Sequence, residues 1–453
     1  MWYNIRTNKS WVDIHSRFGG DMIVKRDELV DQLVRLMGNG NVKVITGIRR
    51  CGKSFLLDRL LKRRLFREDL APKRIVSVSL ELKKNERLRS PDALHKYLSG
   101  ELGRIRGRAV VFIDELQMAL PERAREDERK HAEAAIYGSL NELRARAHTD
   151  IFVTGSNSSF LSEDVATMFR GRADTVRVCP FTFAEYLSTV RKNELAAWRN
   201  YMVYGGMPGA LAYAEGNDRK SYLQGLFKTV YFKDILERNA PLADEDVLDH
   251  VSEFVMSAVG SLTNPAKLTN TMKTALGLKT DYQVVRRHLG YLKSAYLIEE
   301  AKRWDVKGRH YMDYPSKYYS VDIGLRNARL DYRQQEPTHI MENIIFNELR
   351  ARGYSVDVGM VEIETRKGGK REKRQHEVDF VVNLPGERVY IQSAYAMGTD
   401  GKRSQEMLPL QKTGDSFRKI VVTGDYQDLW KDESGVVHVG VIPFLLDKKL
   451  LER

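Results

Sequence analysis

Eight consecutive residues, Gly47-Ile48-Arg49-Arg50-Cys51-Gly52-Lys53-Ser54, carry the most specific chemistry of the chain. The spacing is G-x-x-x-x-G-K-[ST], a loop whose backbone N–H groups cradle phosphates. The two glycines let the backbone approach phosphate oxygens closely. An apolar run, Val42-Lys43-Val44-Ile45, precedes the loop, and an apolar helical pattern follows from Phe55. The helix start adds unpaired donors and a favourable dipole for an anion. Lys53 would reach the β- and γ-phosphates of a nucleoside triphosphate, and Ser54 would ligate Mg²⁺. ATP and Mg²⁺ are therefore the expected cofactors, with Gly47 to Phe55 as the contact set.

Two further strands complete this chemistry. Ala109-Val110-Val111-Phe112-Ile113-Asp114-Glu115 is an apolar run ending in two acids, 61 residues after Lys53. Such a run reads as a strand buried on both faces of a parallel sheet, with its acids at the edge where open α/β sheets bind ligands. Asp114 would hold the metal, and Glu115 would act as general base on the attacking water. Asp150-Ile151-Phe152-Val153-Thr154-Gly155-Ser156-Asn157 is the next strand. Its polar end supplies a contact to the γ-phosphate or the water, expected of Asn157 with Ser156 as the alternative; a plain turn is the competing reading. Beyond it, Arg172, or alternatively Arg170, is a candidate finger that neutralises transition-state charge from a neighbouring subunit, and the competing reading is a surface arginine.

These residues need an α/β scaffold, and the chain is long enough for about three domains at 453 residues. Hydrophobic residues make up 42%, ordinary for globular cores, and no apolar run of 18 residues exists to cross a bilayer. The N-terminus lacks the basic and apolar regions of a signal peptide. Of the two cysteines, Cys51 lies in the phosphate loop, so a reducing cytoplasm is expected. The net charge of +13 favours polyanionic partners without specifying one. The mixed-sign run 121–130 reads as a solvated insertion.

The loop with Arg49-Arg50, the run Phe112 to Gln117, Thr154 to Asn157, Arg170-Gly171-Arg172 and Pro180-Phe181-Thr182-Phe183-Ala184-Glu185-Tyr186 occur in one order. Together they resemble a family of archaeal and bacterial AAA-type ATPases with a nuclease-like C-terminal domain. Tyr204-Gly205-Gly206-Met207-Pro208 and Phe232-Lys233-Asp234-Ile235 match that family's helical segment. The resemblance spans nearly the whole chain after Met22. It implies an ATPase core over 20–190, a helical subdomain over 191–244, a winged helix over 245–330 and a nuclease-like domain of restriction-endonuclease type over 335–453.

The residues of the middle segment agree with that division. Asp281 to Leu297 shows helical spacing, Leu297 to Trp304 reads as a strand, Lys307-Gly308-Arg309 as a turn and Lys317 to Val321 as a second strand. Residues 261–310 carry ten Lys/Arg against four Asp/Glu. Arg286, Arg287 and Lys293 on the helix, with Lys307 and Arg309 on the wing, are candidate DNA contacts; a protein-packing module is the alternative. In the C-terminal segment, Glu342 on a helix and Asp379 on a strand match acids that hold Mg²⁺ in a nuclease, and Gln392 stands at a third position. Ala394 occupies the place of the water-orienting lysine, so a degenerate nuclease site without cleavage is expected.

The sequence thus points to a cytoplasmic, homo-oligomeric ATP hydrolase coupled to DNA. The alternatives are a nucleotide-dependent switch or scaffold for protein partners and, third, an ATP-regulated nuclease.

Overall fold

The computed structural model of the chain describes residues 23–121, 125–146, 148–155, 171–240, 242–367, 370–397, 400–425 and 427–452. Apolar runs of the N-terminal half form one sheet. Its strands are β1 (Val42–Thr46), β2 (Ile75–Ser79), β3 (Ala109–Asp114), β4 (Thr149–Thr154) and β5 (Ala173–Arg177). They stand in the order β2-β3-β4-β1-β5, with every neighbouring pair parallel.

The central strands are apolar throughout because helices cover both faces. Successive residues feed opposite layers. Ile45, Phe112 and Phe152 enter one core with Leu56, Leu60 and Leu61 of the helical stretch 53–67. Val44, Ile113 and Val153 enter the other with Leu94, Leu98 and Leu140 of the helices Pro91–Gly103 and Glu126–Ala145. Each such side chain contributes about 1.5–3 kcal/mol by leaving water. Lys43 is the charged exception in β1, and its Nζ meets Asp150 Oδ1 at 2.7 Å inside the protein.

The second sheet has nine strands in the order β13-β14-β12-β11-β10-β9-β7-β8-β6. β6 (Leu262–Thr263), β7 (Ile298–Asp305) and β8 (His310–Ser320) come from the middle segment. β9 (Ser355–Lys367), β10 (Lys370–Leu384), β11 (Glu387–Ala394), β12 (Arg418–Thr423), β13 (Trp430–Lys431) and β14 (Val437–Gly440) come from the C-terminal segment. Helices Pro265–Leu276 and Tyr282–Ser294 precede β7 and β8, in the order the sequence suggests for a winged helix.

The strands of that wing do not stand apart, however. Arg303 to Asp305 of β7 pair in parallel with Val358 to Met360 of β9. The middle and C-terminal segments therefore share one sheet across the expected boundary near residue 330. Helix Pro337–Ala351 lies on this sheet and places Ile340, Ile344 and Phe346 in a core with Val358, Phe380 and Ile391. Among the described residues, no helix is long and apolar enough to cross a membrane.

Candidate nucleotide site

The phosphate loop leaves β1 at its C-terminal end, and its shape depends on glycine at two places. Gly47 has φ +139, and a Cβ there would lie 2.1 Å from the Val178 carbonyl oxygen. Gly52 has φ +104 where the helical stretch begins. Arg50 also takes a left-handed φ of +65, a cost that an ordinary turn would avoid. Cys51 is buried, with Sγ 3.2 Å from the Val178 carbonyl oxygen, and is a free thiol as the sequence requires. Ile48 is buried in the same core.

Lys53 lies back over the loop. Its Nζ donates to the carbonyls of Gly47 and Ile48 at 2.9 and 3.0 Å. Ser54 Oγ donates to Asp114 Oδ1 at 2.7 Å, so the two groups expected to share a metal stand side by side. Thr154 Oγ1 donates to the same oxygen at 2.7 Å, and Ser79 Oγ to Asp114 Oδ2 at 3.0 Å. Burial pushes the Asp114 carboxyl above the ordinary range, while the Ser54, Thr154 and Ser79 hydroxyls pull it back. This all-oxygen donor set suits a hard cation such as Mg²⁺.

Glu115 follows in a left-handed conformation, φ +55, that turns its side chain away from the strand register. Its N–H donates to Thr154 Oγ1 at 2.9 Å, and Gln117 Nε2 donates to its carboxylate. Arg49 bridges Glu81 at 3.3 Å and Asp234 at 3.5 Å, and Asp234 also holds Arg238 at 3.1 Å. Tyr231 OH donates to the Arg49 carbonyl at 2.8 Å. The helical stretch 226–239 thus touches the loop through Tyr231 and Asp234.

Arg172 is exposed just before β5, where its carbonyl accepts from the Val42 N–H at 3.1 Å. That is the N-terminal edge of the sheet. The length of β1, about 16 Å at ~3.3 Å per residue, separates Arg172 from the phosphate loop of its own chain. Phe55 is half-buried at the loop's exit. Asn157, its alternative Ser156, and Arg170 lie outside the described residues.

Sequence reasoning missed Ser79, Thr154 and Asp234. Ser79 ends an apolar strand that neighbours β3, so its place beside Asp114 becomes visible once the strand order is known. Thr154 lies three residues before Asn157, in the strand the sequence did single out.

The candidate DNA contacts divide. Arg286, Arg287 and Arg309 are exposed. Lys293 pairs with Glu300 at 2.6 Å, and Lys307 Nζ donates to the Glu362 carbonyl of β9 at 2.8 Å. In the C-terminal segment, Glu342 and Asp379 do converge, each facing Lys317 Nζ, at 2.8 and 3.5 Å. Gln392 stands beside them, its Oε1 3.4 Å from the Asp379 N–H. The expectation that no lysine attends these acids is corrected here. β8 supplies Lys317 where β11 carries Ala394, because the two segments share a sheet. Glu377, two residues from Asp379 and so on the same face of β10, joins the cluster.

Comparison with known proteins agrees with the nucleotide site. Residues 39–187 match an AAA domain, residues 195–336 a domain of unknown function (DUF8612) and residues 338–444 another (DUF4143). An uncharacterized protein of Haemophilus influenzae is 28% identical over 429 residues, covering 94% of this chain and 99% of the relative. The uncharacterized protein MJ1544 of Methanocaldococcus jannaschii is 24% identical over 402 residues, covering 84% and 81%. Among solved structures, the Walker-type ATPase PABY2304 of Pyrococcus abyssi matches with TM-score 0.48 at 17% identity, covering 68% of this chain and 96% of that one. The ORC2 protein of Aeropyrum pernix matches with TM-score 0.40 at 13% identity, covering 73% and 95%. At these scores the solved structures carry no functional argument. The matched AAA domain and the loop geometry are sufficient: the N-terminal third is an AAA-type, nucleotide-binding ATPase domain of P-loop fold.

Proposed function

We propose that this chain hydrolyses ATP in a Mg²⁺-dependent reaction and passes its nucleotide state to the nine-stranded sheet, with DNA as the partner of the exposed basic helix. The observation that carries the hydrolytic part is the Ser54–Asp114 contact of 2.7 Å at the mouth of the phosphate loop. Mg²⁺ held by Ser54 and Asp114 would neutralise charge on the β- and γ-phosphates. Lys53 exchanges the Gly47 and Ile48 carbonyls for phosphate oxygens. Glu115, oriented by Gln117, accepts the proton of the attacking water. Asn157 positions that water, and Arg172 serves the site of an adjacent copy, which makes the active form a homo-oligomer.

A physical route supports the coupling. Glu299 of β7 binds Arg177 of β5 and Arg350 of helix Pro337–Ala351 through its two oxygens. One carboxylate thus joins the nucleotide-binding sheet, the wing and the C-terminal segment. The pairing of Lys293 and Lys307 within the protein favours a second reading, in which the middle segment is a packing module and the ATPase a switch for protein partners.

Steady-state ATP hydrolysis, with and without duplex and single-stranded DNA at two salt concentrations and with Lys53→Ala as the blank, tests both readings. Salt-sensitive stimulation by DNA is expected, since phosphate contacts release counterions. Slow hydrolysis indifferent to DNA would remove DNA as the partner and leave the switch.

A further inference from the structure

Lys317 lies on β8, in a strand assigned to the wing, yet its side chain ends among the acids of the C-terminal segment. Its ammonium is buried and meets Glu342 Oε1 at 2.8 Å, Asp379 Oδ1 at 3.5 Å and Glu377 Oε1 in direct contact. An ammonium has three N–H donors, and here three carboxylates face them. The acids are tied down in turn. Tyr319 OH donates to Glu342 Oε1 at 2.8 Å, and the Ser393 N–H donates to Asp379 Oδ2 at 2.8 Å. Gly260 closes over the cluster with φ +72, and a Cβ there would lie 2.9 Å from Glu342 Oε2.

We propose that Lys317 is a built-in counter-ion: its ammonium occupies the place a divalent cation would take among Glu342, Glu377 and Asp379. The cluster therefore binds no metal and serves to clamp β8 and the Gly260 turn to helix Pro337–Ala351 and β10.

Two features separate this arrangement from a hydrolytic site. A lysine that activates water needs a lone pair or an uncommitted N–H. Burial pulls the Lys317 ammonium toward neutrality, but Glu342, Tyr319, Asp379 and Glu377 together hold it well above the ordinary lysine range, so it has no lone pair to offer. The acids, moreover, are arranged around nitrogen rather than around a metal. They do not bring three ligand atoms within 4.8 Å of one another, which among the described residues only Asp249, His250 and Glu253 do. Two of those three already attend Arg329, Asp249 at 2.9 Å and Glu253 at 3.6 Å. Burial and the neighbouring Glu342 push the Asp379 carboxyl up to about 7.

The test is Mn²⁺ binding by the nucleotide-free full-length chain, read from the electron paramagnetic resonance signal of free Mn²⁺. Wild type and Asp379→Asn are expected to bind the same number of ions. Lys317→Met is expected to melt about 5 °C or more lower, and to gain one ion that Lys317→Met/Asp379→Asn lacks. Added Mn²⁺ should restore part of its melting temperature. An ion bound by wild type and lost in Asp379→Asn overturns the proposal, as does Mg²⁺-dependent DNA cleavage that Asp379→Asn abolishes. So does a folded Lys317→Met variant that neither loses stability nor gains an ion. Should Lys317→Met or Asp379→Asn fail to fold, Glu377→Gln against wild type gives the same reading on a less buried acid.

Discussion

Two of the buried lysines of this chain, Lys53 and Lys317, have immediate neighbours that give them opposite tasks. Lys53 rests on the carbonyls of Gly47 and Ile48 and has no carboxylate partner among the described residues. Lys317 is enclosed by Glu342, Glu377 and Asp379. A carbonyl brings only a dipole, which a triphosphate outcompetes readily. Three carboxylates bring full charges in a water-poor setting, where removing one partner leaves the others uncompensated. A buried lysine suits a ligand site in the first case and a structural lock in the second, and the difference lies in how much of the ammonium's charge is already met.

The sharpest way to break that comparison is Lys53→Ala. It should lower ATP turnover by at least about 10³-fold, since the positive charge is needed where phosphate charge develops; phosphate release measures it, and full turnover would show that Lys53 is no ligand. Lys317→Met should do the converse. It should leave turnover of the folded protein near wild type while lowering stability by about 3–5 kcal/mol, measured by denaturant unfolding. A variant of undiminished stability would mean the acids need no counter-ion.

Glu115→Gln should keep nucleotide bound but slow hydrolysis by roughly 10²-fold, as checked by single-turnover kinetics with a binding assay alongside. Normal turnover would assign the base elsewhere. Arg172→Ala, mixed with wild type, should depress activity below simple dilution if the finger acts between copies; a linear mixing curve would remove that role.

The smallest effect is expected at Asp322, which caps helix Ile323–Arg329 and accepts the Gly206 N–H at 2.7 Å. Burial pushes its carboxyl up to about 6, against the N–H donors of Gly206, Leu325 and Gly324. Between the unfolded value near 4 and this one, the folded protein holds a proton the unfolded chain has lost. Stability therefore falls as pH rises through that window, by at most about 1.4 kcal/mol per pH unit. Asp322→Asn stays neutral and should flatten this slope in urea unfolding below and above the window. An unchanged slope would place the titration on other groups.

Much of the nucleotide site was legible because its determinants are local. Loop, helix start and the Asp114-Glu115 pair are each a few consecutive residues on one strand and its exit. Ser79 and Thr154 were not singled out, since they act only through the neighbouring strands β2 and β4. The element order from 262 to 321 was legible from periodicity, but not its union with the C-terminal sheet. Parallel pairing of β7 with β9 leaves no mark in either strand's pattern.

The sequence by itself determined that a loop of the phosphate-binding pattern leaves the first strand and opens a helix, because consecutive residues set backbone shape directly. Only the tertiary structure decided what fills the acid cluster. Lys317 and Asp379 are 62 residues apart, and nothing in β11, where Ala394 stands, announces that β8 delivers the missing charge. Long-range strand pairing made that choice, since it alone decides which side chains are buried together.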